Sequence, residues 1–283
     1  MILNPYRFTT GAGATGLLAD YTGAVAAFSL RQLISTWTGA VVEVRRDGGS
    51  PATADFTAVE VDDGTLTTWT GANNGFVRTW YDQSGEGFDA TQTATIDQPK
   101  IVSSGTLVTS NGEPAIDFDG LNHYLSNAAS LTYSGGVSWY AVTDFANIGG
   151  AARLWGDDIT GQQGYNIFYI AGTAGYSLND NDGGFKIITH TNNATVQELS
   201  SFNFDDSTGG YGYARDGSNT TGTVASWTGP IDSSNTANVG VMGSGNGNQL
   251  AIGKLQELII YPNDQSANRT GIEGDINTHY SIY

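Results

Sequence analysis

Between about residue 41 and residue 262 the chain alternates short runs of β-forming residues with Gly, Asn or Asp turns. Clear runs are Gly75–Tyr81, Ala115–Phe118, Val137–Thr143, Asn166–Ile170, Phe185–Thr189, Tyr211–Ala214, Asn238–Met242 and Lys254–Tyr261. Val41-Val42-Glu43-Val44-Arg45 opens the series, and the turn Asp47-Gly48-Gly49 closes that first strand. Such spacing predicts an all-β sandwich or jelly roll. Two segments depart from the pattern. In residues 24–37, Ala24, Ala27, Phe28, Leu30, Leu33 and Ile34 fall near a 3.6-residue period with Gly39 beyond, which predicts one early helix. After Tyr261-Pro262, Ser266 is placed to cap a C-terminal helix over 267–279, with Ile272 and Ile276 on one face. Neither a repeat nor a linker interrupts the chain, so the expected organisation is a short N-terminal arm, 1–20, and one domain, 21–283.

Composition narrows the function. The 14 Tyr, 11 Phe and 6 Trp supply a real core. Lys and Arg number 11 against 28 Asp and Glu, and the resulting charge of −17 repels phosphate backbones, so no nucleic-acid partner is expected. No apolar run approaches the roughly 18 residues of a membrane span. With no cysteine, the chain has neither disulfides nor thiolate chemistry. Met-Ile-Leu-Asn-Pro-Tyr-Arg-Phe lacks the basic and apolar regions of a signal peptide. The Ser/Thr/Asn/Gly-rich, Lys-poor remainder nevertheless suits exposure outside a cell. A protein exposed without export is expected on a virus particle. There Pro5, Tyr6 and Phe8 would anchor the arm to other virion proteins, unless residues 1–20 are an ordinary loose terminus.

Three stretches carry a family resemblance. They are Trp80-Tyr81-Asp82-Gln83-Ser84-Gly85-Glu86-Gly87-Phe88-Asp89, then Asn111-Gly112-Glu113-Pro114-Ala115-Ile116-Asp117-Phe118-Asp119-Gly120, and Gly253-Lys254-Leu255-Gln256-Glu257-Leu258-Ile259-Ile260-Tyr261. Together they resemble a concanavalin A-like (laminin G-like) jelly roll, and more closely the catalytic domain of α-L-arabinofuranosidase B, over roughly residues 22 to 283. Each stretch also has a local physical role. Gly85 and Gly87 permit positive φ, Asp82 and Ser84 can bond nearby amides, and Leu258-Ile259-Ile260 reads as a strand covered on both sides.

The resemblance implies a retaining glycosidase, which needs two carboxyl groups about 5–5.5 Å apart. In an ungapped placement anchored on Phe185, the family's nucleophile segment puts its aspartate on Asn179 and its glutamate on Asn181. The acid/base region falls on Gly243-Ser244-Gly245-Asn246-Gly247-Asn248, and the family's cysteine pair on Ala151-Ala152. An amide is neither nucleophile nor acid, so the expectation is a non-enzymatic, lectin-like virion protein of a bacteriophage. It would be a decoration, tail or baseplate component in many copies, with host-surface glycans as candidate partners. Asp180 and Asp182 lie one residue away, and an arabinofuranosidase-type hydrolase is the alternative.

Candidate glycan-binding residues are Trp155, Asp157, Tyr176, Asn179, Asn181 and Asn246, because sugar sites pair aromatic faces with amides and carboxylates. Packing in the sandwich is the competing role for Trp155 and Tyr176. His123, His190 and His279 show no metal-ligand spacing, and no cofactor is expected. Asn179 to Gly184 echoes the start of a calcium loop without its closing Glu, so an acidic hairpin turn competes with calcium there. Arg45-Arg46 is expected to pair with Asp or Glu.

Overall fold

The computed structural model describes residues 13–48, 52–126, 133–145, 152–157, 166–170, 173–179, 185–191, 196–229, 231, 239–241 and 252–283. The chain starts with helix α1 (Leu17–Asp20) and strands β1 (Ala26–Ser29), β2 (Val42–Arg46) and β3 (Ala52–Phe56). Helices α2 (Ala58–Asp62) and α3 (Thr65–Thr70) precede β4 (Gly75–Trp80), β5 (Ala90–Thr91) and β6 (Lys100–Ser103). Short pieces follow: β7 (Thr106–Leu107), β8 (Thr109–Ser110), β9 (Glu113–Pro114), β10 (Ile116–Asp119) and β11 (Leu125–Ser126). The middle holds β12 (Gly136–Phe145), β13 (Ala152–Asp157), β14 (Asn166–Ile170), β15 (Thr173–Asn179) and β16 (Phe185–Thr191). The chain closes with β17 (Glu198–Asp205), β18 (Gly210–Arg215), β19 (Ser218–Thr223), β20 (Val239–Val241), β21 (Ile252–Tyr261) and α4 (Arg269–Tyr280).

All of the recorded pairings are antiparallel, and they trace two broad sheets. In the first, β19, β18, β17, β12 and β21 lie side by side, and β21 pairs along its other edge with β1 and β10. In the second the order is β3, β2, β4, β5, β11, β20, β13, β14, β15, β16. Strand β6 bridges β4 to β10 and so links the two. Trp80, Val42, Leu125 and Ile188 from the second sheet meet Trp139, Phe202, Phe204, Phe28 and Leu258 from the first in one buried core. This is an all-β sandwich.

A second core lies on the outer face of the first sheet. Alternate residues of the central strands, Tyr140 and Val142 on β12 and Ile259 and Tyr261 on β21, pack there against Leu17, Leu18, Ile272, Ile276 and Tyr280. Strands β12 and β21 are therefore apolar on both faces, which accounts for the unbroken run Leu258-Ile259-Ile260. Ile272 and Ile276 lie on the buried face of α4, but Ser266 does not cap that helix. The N-cap is Asn268, whose side chain makes no cap bond, while Ser266 bonds Asp264 through both its amide (2.9 Å) and its hydroxyl (2.8 Å).

The early helix over 24–37 is not formed. Ala26 to Ser29 pair with β21 in the register Ala27↔Ile259, and Ala27 enters the second core while Ala26 and Phe28 enter the first. Burial on both faces follows the period of a strand, and sheet pairing overrides a short apolar pattern that also suits a helix. The helices early in the chain are instead α1, α2 and α3. Arg45 and Arg46 also depart from expectation. Arg45 donates to Gln98 Oε1 (2.6 Å) and Thr95 O (3.2 Å) and lies over the Phe76 ring. Arg46 donates to Trp69 O (2.8 Å) over the Trp69 ring. Carbonyls and aromatic faces offer these guanidiniums partners without the cost of desolvating a carboxylate.

Candidate functional site

The recognisable motifs form a structural lock. Asp82 is buried, and its Oδ1 accepts from the amides of Ala27 (2.8 Å) and Ser84 (2.9 Å). Its Oδ2 accepts from Ser84 Oγ (2.7 Å) and the Phe88 amide (3.0 Å). Gln83 reaches the other way: its side chain accepts from Leu33 N (2.8 Å) and donates to the carbonyls of Ser29 (3.1 Å) and Arg31 (2.9 Å). The loop between β4 and β5 thereby fixes β1 and the irregular segment after it. Gly85 and Gly87 sit at φ of 91° and 79°, as the tight loop requires.

A second polar cluster joins β1, β21 and α4. Glu257 is fully buried and accepts a bidentate pair from Arg31, Nε at 2.8 Å and a terminal nitrogen at 3.0 Å. Ser29 Oγ donates to the same carboxylate at 2.8 Å, and the Tyr280 hydroxyl lies 3.3 Å away. Arg31 also reaches Asp275 at 2.9 Å. With burial opposing it, this pairing raises the Arg31 guanidinium pKa above its ordinary value. Both carboxylates serve as counter-ions to Arg31.

Beside that cluster a cavity of about 260 Å³ is lined by Arg31, Val59, Asp62, Glu113, His279 and Tyr280, among others. His279 Nε2 lies 3.6 Å from Glu113 Oε2. Burial, together with nearby Arg31, nevertheless pulls the imidazole below its ordinary value, so it is neutral near pH 7. Among the described residues no cluster of three or more His, Asp or Glu could hold a metal ion.

Four of the six candidate glycan residues, Trp155, Asp157, Tyr176 and Asn179, lie on strands of the second sheet. Trp155 pairs with Ile167, Ile167 with Tyr176, and Tyr176 with Ile188, so one cross-strand row runs through β13, β14, β15 and β16. Ile188, at the end of that row, is buried in the main core. Asp157 pairs with Val239 at the end of β13, and Asn179 with Phe185 at the end of β15. The backbone thus brings Trp155 and Tyr176 into one row, with Asp157 two residues along from Trp155 and Asn179 three from Tyr176. Asn181, Asn246, Asp180, Asp182, the 243–248 loop and Ala151 lie outside the described residues, and with them the echo of a calcium loop. The arm residues Pro5, Tyr6 and Phe8 do so too. What sequence reasoning missed is the Arg31–Glu257–Tyr280 cluster, in which Arg31 lies 226 residues from Glu257, so no local signal marks it.

No protein-family model matches the sequence, and no curated protein does. Solved structures match it. A GH54 α-L-arabinofuranosidase soaked with 4-nitrophenyl α-L-arabinofuranoside is 17% identical at a TM-score of 0.62, over 89% of this chain and 62% of that one. An arabinofuranosidase complexed with arabinofuranosyl-α-1,2-xylobiose is 18% identical at 0.58, with the same coverage of both chains. The likeness is one of fold. The binding domain of Paraclostridial Mosquitocidal Protein 1 shares it at 12% identity and a TM-score of 0.52, over 85% of this chain and 52% of that one. The chain spans less than two thirds of the arabinofuranosidases it matches.

Proposed function

We propose that this chain is a non-hydrolytic, lectin-like β-sandwich carried in many copies on a bacteriophage virion, as a decoration, tail or baseplate component that holds host-surface glycans. The observation that carries the reading is the amide chemistry of Asn179, Asn181 and residues 243–248, onto which the ungapped placement puts the carboxylate positions of the resembling glycosidases. Amides keep the hydrogen bonds that orient a sugar and lose the nucleophile and the acid. A binding role also suits the fold's use as the binding domain of a larger protein. Many copies would let a millimolar site hold a surface through avidity.

The arabinofuranosidase likeness favours a second reading, hydrolysis, and one experiment separates the two. Pure protein is incubated with 4-nitrophenyl α-L-arabinofuranoside, and purified particles are searched for the chain by mass spectrometry. The expected result is no turnover and the chain present in particles. Turnover abolished by Asp180→Asn or Asp182→Asn would establish the hydrolase, and absence from particles would remove the virion role.

A further inference from the structure

A polar trough lies on the other sheet, where the outer faces of β17, β18 and β19 meet the start of α4. The register Asn203↔Gly212↔Thr221 puts these three residues in one row across the strands, with Asp205↔Gly210↔Thr223 as the next. Strand β18 thus presents Gly210 and Gly212 between the side-chain-bearing strands. The result is a glycine-floored cavity of about 310 Å³, walled on the helix side by Asp264, Ser266 and Arg269. That size lies at the lower end of small-ligand pockets.

One buried residue, Asn203, forms part of its wall. Asn203 is 1% exposed, and its Oδ1 accepts from the Tyr140 hydroxyl at 2.9 Å. Its Nδ2 has no hydrogen-bond partner. Turning the amide over would only exchange which end lacks one. A buried amide end without a partner is destabilising, and it marks this wall as polar.

We propose that this trough binds a neutral sugar residue. A polyol presents hydroxyls that both donate and accept, and the walls answer in kind: Asn203 and Asn219 amides, the Thr221 hydroxyl, the Asp205 carboxylate and the Arg269 guanidinium. Arg269 is already paired with Glu273, itself held by Ser201 Oγ at 2.6 Å. Asp205 and Asp264 therefore leave the site net negative, which disfavours uronic and sialic acids. The site rests on its own geometry, separate from the Trp155–Tyr176 row, and does not depend on the lectin-like reading of that row.

The test is an NMR titration of ¹⁵N-labelled protein with glucose, galactose, mannose and N-acetylglucosamine into the millimolar range, with glucuronate as the charged control. The Asn203 side-chain amide and the Gly210 and Gly212 backbone amides are expected to shift with at least one neutral sugar. Gly212→Leu fills the trough, with an added Cβ already 3.3 Å from Asn219 Oδ1, and should abolish the shifts. Asn219→Ala, at an exposed position, should weaken binding several-fold with an unchanged melting temperature. Shifts confined to β13–β16 would overturn the trough and leave the lectin-like reading standing, and silence with every sugar would likewise overturn the trough. Shifts that survive Gly212→Leu, or that are strongest with glucuronate, would also refute the assignment.

Discussion

Replacing Asp82 tests whether the most recognisable motif of this chain is architecture. Its carboxylate accepts four hydrogen bonds at 2.7–3.0 Å, three of them from backbone amides of Ala27, Ser84 and Phe88. Asp82→Asn keeps an oxygen for Ala27 and Ser84 but turns an NH₂ toward the Phe88 amide, so two donors face each other. Losing that one charge-assisted bond and orphaning the donor should cost about 2 kcal/mol. Asp82→Ala orphans all three amides, and with partial relaxation the cost should be about 4 kcal/mol. Urea unfolding followed by tryptophan fluorescence reads both. Trp80 lies two residues away in the core and reports the same region. The order wild type, Asn, Ala is the critical outcome. If both variants lie within about 0.5 kcal/mol of wild type, the range expected of ordinary surface sites, Asp82 is not a lock and the argument fails.

Further outcomes follow from the same structure. Glu257→Leu leaves the Arg31 guanidinium without its buried partner and should cost about 3–5 kcal/mol by urea unfolding. Adding Arg31→Met should recover part of that loss, and strictly additive losses would show that the pair is not coupled. Because the folded-state pKa of His279 is depressed, the unfolded chain takes up its proton first as pH falls. Stability from this residue is therefore present above the ordinary value of 6.5 and lost as pH drops below it. His279→Gln should flatten the acid side of a pH–melting curve relative to wild type, although Glu113, Glu257 and Asp275 pull the other way. Gly136 opens β12 at φ 140°, where an added Cβ would overlap the carbonyl of Phe204. Gly136→Ala should cost about 3 kcal/mol or more, read as lost soluble yield or a lowered melting temperature.

The strands were legible because their signals are local. Asn166–Ile170 matches β14, and the Gly75, Val137, Tyr211 and Lys254 runs differ from their strands by only a few terminal residues. The spacing of Ile272 and Ile276 placed α4 for the same reason. Residues 24–37 misled because their apolar positions serve two cores through one short strand, a fact held in the distant partner β21. Helix α2 carries a readable start signal. Thr57-Ala58-Val59-Glu60 is a capping box, with Glu60 Oε2 accepting from the Thr57 amide at 2.9 Å. The trough was half written in the sequence as well. Ser201, Asn203 and Asp205 alternate with Phe202 and Phe204, the signature of a strand with one polar face. That the polar face is partly buried depends on where α4 comes to rest.

That resting place ties fold to function. Strand β17 carries Leu199 into the second core beside Val142, and its neighbours on that face, Ser201 and Asn203, meet α4 side chains and the Tyr140 hydroxyl. An outer face wholly covered by helix would need apolar residues throughout, as β12 and β21 have. One wholly bare would need no buried amide. Strand β19 is almost entirely exposed and β18 is floored with glycine, so helical cover ends over β17. Asn203 stands at that border, in the wall of the trough with its Nδ2 desolvated. A border of this kind sets buried polar groups beside a partly enclosed trough, where hydrogen bonds to a ligand count for more than in bulk water. The two proposed sugar sites thus lie on different sheets, the Trp155–Tyr176 row on the second and the trough at the edge of the helical cover on the first.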